Sequence, residues 1–210
     1  MKKLFIPIVA VALLASCNSA PKETAETSVA QETSAASGTT YQLDKEASLV
    51  SFLGTKPVGT HTGDFKLTEG SLTVADGNVT SGSFTIDVAS LVITDNNFPY
   101  APKLQEHLLS PDFFETAKYP TAKFEVTGSE ALVNSTEGTH KISGNLTLKD
   151  STQNVSFPAT VTVSENDFAA TAKYSIDRTK WGLVYGNDKS LGDKFIYPVV
   201  EITLNLKAKK

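Results

Sequence analysis

From residue 41 onward the chain alternates apolar and polar side chains, and this period-two pattern predicts strands. It is clearest at "SFTID", where Phe84, Ile86 and Val88 fall on one face and Ser83, Thr85 and Asp87 on the other. The same alternation links Phe65 with Leu67, then Leu72 with Val74. It returns at Ala122, Phe124 and Val126, and again at Ile142, Leu146 and Leu148. "VSFPATVTV" and "FAATAKYSI" carry it through Val155–Val163 and Phe168–Ile176, and Val200, Ile202, Leu204 and Leu206 close the series. With residues 49–53 this makes about eight strands, each apolar on one face.

Short polar turns, "TEGS", "ADGN", "STEGT" and "SEND", separate the strands and read as hairpin loops. Antiparallel hairpins in series close into a barrel or stack as a sandwich, and periodicity does not choose between the two. Pro158 cannot donate to a ladder, so it predicts an edge or a bulge. One segment breaks the pattern. "LQEHLLSPDFFETAKYPTAKF", residues 104–124, follows Pro99 and Pro102 and reads as two short helical turns. The first spans residues 104–109; the second starts at Ser110-Pro111-Asp112, with Ser110 as N-cap. An insert of this kind between strands is expected over an open end of the sheet.

Ahead of the β-patterned region lie two segments of different character. Lys2 and Lys3 precede an apolar run, residues 4–14, that is shorter than the roughly 20 residues of a spanning helix. A charged start, a short apolar core and small residues at its end make residues 1–16 a secretory signal peptide. Its ending, Leu14-Ala15-Ser16-Cys17, resembles a bacterial lipobox, which implies a lipid attached at Cys17 and a membrane anchor in the cell envelope, periplasmic or outer-membrane side. Residues 18–40 hold no aromatic residue and a single branched aliphatic, Val29, so residues 17–40 are expected to be a disordered tether. Cys17 is the only cysteine, so no internal disulfide supports the fold.

Loss of residues 1–16 removes two of 19 basic residues, leaving 17 against 23 acidic ones, a net charge of −6. Such a balance, with no basic stripe, argues against nucleic acid and against docking on anionic headgroups.

Three blocks carry a family resemblance. "EHLLSPDFFETAKYPTAKF" has a His-Leu pair, then Ser, Asp-Phe-Phe and Lys-Tyr-Pro; "ISGNLTLKDSTQNVSFPATV" has a Gly-x-Leu-Thr strand running into an apolar strand. "YSIDRTKWGLVYG", with "LGDKFIYPVVEITLNLKA" after it, has Asp-Arg, an aromatic-Gly pair and Gly-Asp before the last strand. In this order they resemble the YceI-like family over residues 41–208. The resemblance implies an all-β fold, an antiparallel eight-stranded lipocalin-like barrel with a short helical insert near residues 104–118. It also implies an internal apolar cavity for a polyisoprenoid or related lipid, as polyprenyl or quinone, in a carrier or buffer. Two departures concern the head group: Leu104-Gln105 stands where many relatives have Arg-Asp, and Lys56-Pro57 with His61 where many have Lys-His.

On that footing Phe52, Phe65, Phe84, Phe113, Phe114 and Phe124 are candidate pocket-lining residues, with Ile86, His107, Leu108 and Trp181. Each also fits a packed core, which is the alternative: a structural or interaction barrel without a small-molecule ligand. Asp177, Arg178 and Trp181 suggest a node at a strand end, with Arg178 stacked on Trp181, and the resemblance to the family implies that Asp193, after Gly192, pairs with Arg178. No nucleophile elbow, Gly-rich phosphate loop or His-Glu-x-x-His occurs, so neither catalysis nor a cofactor is expected. His61, His107 and His140 are too widely spaced to argue for a metal. The sequence leaves monomer and homodimer open.

Overall fold

A computed structural model describes residues 24–210. The signal peptide, Cys17 and residues 18–23 lie outside the described residues. Eight antiparallel strands close into a barrel: β3 (Leu49–Lys56), β4 (Gly59–Ala75), β5 (Asn78–Ile93), β6 (Thr121–Ala131), β7 (His140–Leu148), β8 (Ser151–Val163), β9 (Asp167–Asp177) and β10 (Val199–Lys209). Closure comes from β10 pairing with both β9 and β3 while β9 pairs back onto β8. Two short strands lie outside this ring. β1 (Glu26–Val29) adds to β8, and β2 (Thr39–Leu43) bridges β4 and β10. Between β5 and β6 sits α1 (Ala101–Leu109), the one α-helix among the described residues. No helix among these residues is long and apolar enough to cross a membrane.

The predicted faces point inward as the alternation requires. Leu67, Leu72, Phe84, Val126, Phe157 and Phe168 share one buried cluster. "ADGN" makes a two-residue hairpin, with Asp76 and Gly77 both at positive φ as a type I′ turn demands. "TEGS" is not a loop. It lies inside the continuous strand β4, where the register slips by one residue between Leu67 and Glu69. The slip explains the broken phase: Phe65 and Leu67 are odd-numbered, Leu72 and Val74 even-numbered, yet all four are buried. A bulge takes up one residue and returns the apolar set to the interior.

Residues 25–40 correct the tether reading. They strap the barrel from outside, held by hydrogen bonds rather than by apolar burial. β8 and β9 pair only over residues 160–163 and 168–171, and above that level they part. β1 enters this seam, pairing with residues 153–156 of β8, while Ala25 N donates to Ser175 O of β9 at 2.7 Å. Pro158 falls between the β8 segments paired to β1 and to β9, where no ladder donor is needed. Beyond the seam, buried Asn145 accepts from Gln31 N at 3.0 Å and donates to Gln31 O at 2.7 Å. Ser34 and Ser37 add bonds to β6 and β5. Composition could not reveal this, because the donors and acceptors are mostly backbone.

Asn145→Ala is expected to cost about 2 kcal/mol, leaving Gln31 unpaired and Asn154 without one of its acceptors. Hydrogen exchange should then quicken across residues 26–38 ahead of the barrel. Unchanged protection there would show that the strap holds without Asn145.

Candidate functional site: the barrel lumen and its mouth

The barrel is not packed solid. A cavity of about 480 Å³ runs along its axis. At one end lie the β4–β5 and β8–β9 turns; at the other lie α1 and the long connection from Arg178 to β10. Three pairs of residues explain why rings in the wall leave the lumen open. Phe52 lies over Gly63, Phe84 over Gly70 and Phe124 over Gly144, each glycine on a neighbouring strand. A Cβ at any of the three glycines would run into the ring. Without it, each phenylalanine lies along the wall.

Phe52, Phe65, Phe84, Ile86 and Phe124 line this cavity from the strands. His107, Leu108, Phe113 and Phe114 line it from the insert. The insert differs from its sequence reading in detail. α1 begins at Ala101 and carries Pro102 in its first turn, where a missing N–H costs nothing. Ser110 ends that helix instead of starting another, its hydroxyl donating to His107 O at 2.8 Å, and residues 111–114 form turns. Leu104, Leu108 and Phe114 pack over Phe65, Val88 and Leu91, with Phe114 edge-on to Phe65 at 5.5 Å. The insert therefore closes part of the barrel end.

Trp181 does not line the cavity. It is fully buried on the 3-10 turn Arg178–Trp181, and its Nε1 donates to Leu146 O at 2.8 Å. That bond pins the chain leaving β9 onto β7, beside the seam that β1 fills. Nor does Arg178 stack on Trp181 or pair with Asp193. Its guanidinium is buried and donates to four carbonyls, those of Leu183, Tyr185, Ile196 and Tyr197. Asp177 caps the turn, accepting from Thr179 N at 3.0 Å.

The polar groups of the lumen gather at the mouth: Lys56, His61, His107, Arg178, Tyr185 and Lys194. His61 Nδ1 meets Asp95 Oδ2 at 2.6 Å, and Thr62 donates to Asp95 Oδ1 from its amide and hydroxyl. Burial acts to raise the Asp95 carboxyl, but the bonds from His61 and Thr62 outweigh it and hold it below the usual value. His107 Nε2 meets Asp112 Oδ2 at 3.1 Å, and its ring stands edge-on to Phe113 and Tyr185. His140 begins β7 at the other end of the barrel. Among the described residues no group of three or more His, Cys, Asp or Glu is placed to hold a metal. Deeper in the lumen, Tyr174 stacks on Phe157 at 4.0 Å. Burial pushes its phenol well above the ordinary value, so it stays a neutral donor.

Lys56 and His61 were singled out in the sequence as head-group positions, whereas Tyr174, Tyr185 and Lys194 were not named as site residues. Of these three only Tyr174 lay on a periodic strand face, and the other two sit in the connection from β9 to β10.

The YceI-like domain model matches residues 41–208. The chain belongs to the YceI-like family. A UPF0312 protein of Pseudomonas putida is 29% identical over 126 residues, 57% of this chain and 60% of the relative. The aligned region thus spans about three fifths of that curated relative's length. Among solved structures, Burkholderia cenocepacia BcnA superposes with TM-score 0.64 at 22% identity, covering 79% of this chain and 99% of its own. A polyisoprenoid binding domain from Saccharophagus degradans, implicated in plant cell wall breakdown, gives 0.59 at 18%, covering 80% and 97%. A Campylobacter jejuni YceI protein gives 0.52 at 19%, covering 70% and 84%. At these identities the superpositions establish the shared barrel.

Proposed function

We propose that this YceI-like chain is an envelope lipoprotein, lipid-modified at Cys17, that carries or buffers one isoprenoid-like lipid inside its barrel. The observation that carries the reading is the open, phenylalanine-walled lumen of about 480 Å³, within the usual range for small-molecule sites. The polyisoprenoid binding of the Saccharophagus domain supports the ligand class. Burying roughly ten CH₂ groups at about 0.8 kcal/mol each contributes about 8 kcal/mol, near micromolar before ordering costs. Polyprenyl and quinone tails both meet that requirement without a catalytic group.

The strap alters the picture of anchoring. With Ala25 bonded to β9, the chain from Cys17 reaches at most about 28 Å. A lipid at Cys17 would hold the barrel against the membrane surface, within reach of lipid leaving the bilayer.

Native mass spectrometry of the purified protein, followed by solvent extraction, tests this reading. The expected result is a discrete added mass released by solvent, an isoprenoid or quinone, or stoichiometric uptake of added isoprenoid by the extracted protein. An extracted barrel that takes up no isoprenoid would leave the packed interaction module in its place.

A further inference from the structure

Of the ten large hydrophobic side chains exposed among the described residues, six stand on the connections at the mouth end of the barrel. Val58 lies in the β3–β4 turn and Tyr100 leads into α1, while Val184, Tyr185, Leu191 and Tyr197 come from the connection between β9 and β10. The connections at the far end hold one, Val133. Only Tyr185 of the six lines the lumen, so the other five serve neither the core nor the cavity. They do not stand apart. Tyr197 N donates to Thr55 O at 3.0 Å, which sets Tyr197 beside the strand end that leads to Val58. Tyr100 is edge-on to Phe98, whose ring lies 4.7 Å from that of His61 on β4. His107 of α1 meets Tyr185 at 4.7 Å. Together these contacts make a collar around the mouth.

Charge follows the same axis. The mouth connections, residues 57–58, 94–120, 149–150 and 178–198, hold seven Lys or Arg and seven Asp or Glu. The far connections, residues 44–48, 76–77, 132–139 and 164–166, hold one Lys and five Asp or Glu. The point of attachment agrees. Ala25 N is bonded to Ser175 O, two residues short of the mouth end of β9. The far end of that strand, Asp167, is eight residues away, roughly 26 Å along the strand. That distance is nearly the whole reach of about 28 Å between Cys17 and Ala25. A lipid at Cys17 thus reaches a bilayer under the mouth with length to spare, and one under the far end only with the chain fully extended.

Exposed hydrophobic side chains gathered in one patch mark a docking surface, and tyrosines among snorkelling lysines suit the bilayer interface. We propose that the collar is a membrane-docking face, which seats the barrel mouth-down on a zwitterionic bilayer through Val58, Tyr100, Val184, Leu191 and Tyr197. Its balanced charge gives no preference for anionic lipid, and the acidic end is turned to water. The proposal deepens the carrier reading, on whose lipid at Cys17 the argument from reach rests, by opening the lumen directly onto the bilayer.

The test uses the chain from residue 17 with Cys17→Ser, which retains every described residue and carries no lipid. Flotation with phosphatidylcholine vesicles is expected to recover bound protein. The partition coefficient should change less than twofold when a third of the lipid is phosphatidylglycerol. The double variant Val184→Asp/Leu191→Asp should lower it at least tenfold, and Val133→Asp at the far end should leave it within twofold. Melting temperature and isoprenoid uptake should match the unsubstituted chain in both variants, since none of the three residues lines the lumen. No flotation while isoprenoid uptake persists would overturn the docking face and leave the carrier reading standing. Loss of both would remove both. Binding that needs phosphatidylglycerol and survives the double variant would overturn the collar in favour of lysine attraction. A dimer in sedimentation velocity that the double variant dissociates, without vesicle binding, would give the collar to a second copy of the chain and overturn the proposal.

Discussion

Replacing Arg178 by Met is expected to cost about 3–5 kcal/mol of stability, a large effect for one surface-proximal turn. The side chain is 5% exposed and bonds four carbonyls, those of Leu183, Tyr185, Ile196 and Tyr197, all in residues 178–198, which join β9 to β10. Burial lowers its pKa below the ordinary arginine value, a pull that the nearby Asp177 charge only partly offsets. Taken alone, then, the buried cation is costly, and its stability comes from the acceptors arranged around it. Methionine fills similar space but strands those carbonyls away from water, at about 1–3 kcal/mol for each that finds no substitute. Leu183 and Phe195 are buried by the same loop, so the loss would reach the mouth as a unit. Arg178→Lys should recover only a minor part, because an ammonium cannot span the directions that the planar fork reaches. Urea unfolding measures the total. Hydrogen exchange would localise it, with residues 182–197 exchanging before the strands. A loss below 1 kcal/mol would mean that the loop is held by its apolar residues instead.

How far the sequence discloses this molecule follows from what holds each part. The eight strands were legible because each buries one face, and burial writes itself as alternation. Phe84, Ile86 and Val88 needed nothing else. "TEGS" misled because Gly and Ser beside charge are chemically alike in a hairpin turn and in a bulge. The odd-to-even shift between Leu67 and Leu72 was the available signal for the bulge. The strap was illegible for the opposite reason. Residues 25–40 are seated by main-chain bonds and by Asn145, and neither leaves a hydrophobic trace. Trp181 was recognised as important but misplaced. A buried indole with its N–H bonded to a carbonyl anchors a turn as readily as it lines a pocket, and only the position of Leu146 decides. The Asp-Arg pair in "YSIDRTKW" pointed to a node correctly, while the four carbonyls it serves carry no sequence identity at all.

Openness of the lumen was likewise beyond the alternation, since an inward phenylalanine reads the same in a packed core and in a cavity wall. The glycines decide it, and Gly144→Ala turns that into an experiment. A Cβ at residue 144 would enter the space of the Phe124 ring, whose three outer carbons are its nearest neighbours. In a filled core the ring would have nowhere to go, and overpacking would cost about 1–3 kcal/mol. Here the ring borders open space, so it is expected to swing into the lumen at little cost. The gain from replacing a strand glycine, about 0.5–1 kcal/mol, offsets part of that cost. Net stability should therefore change by less than about 1 kcal/mol. Ligand capacity should not be spared. A ring standing in the lumen displaces roughly two CH₂ contacts at about 0.8 kcal/mol each, close to a tenfold loss of affinity for a long-chain lipid. Competition against a fluorescent fatty acyl or prenyl probe reads the affinity, and thermal melting reads the stability. The second-site change Phe124→Leu should restore binding in the Gly144→Ala background, because it removes the displaced ring. If instead Gly144→Ala destabilises the barrel by 2 kcal/mol or more and Phe124→Leu fails to rescue binding, the wall is packed and the carrier reading loses its structural basis.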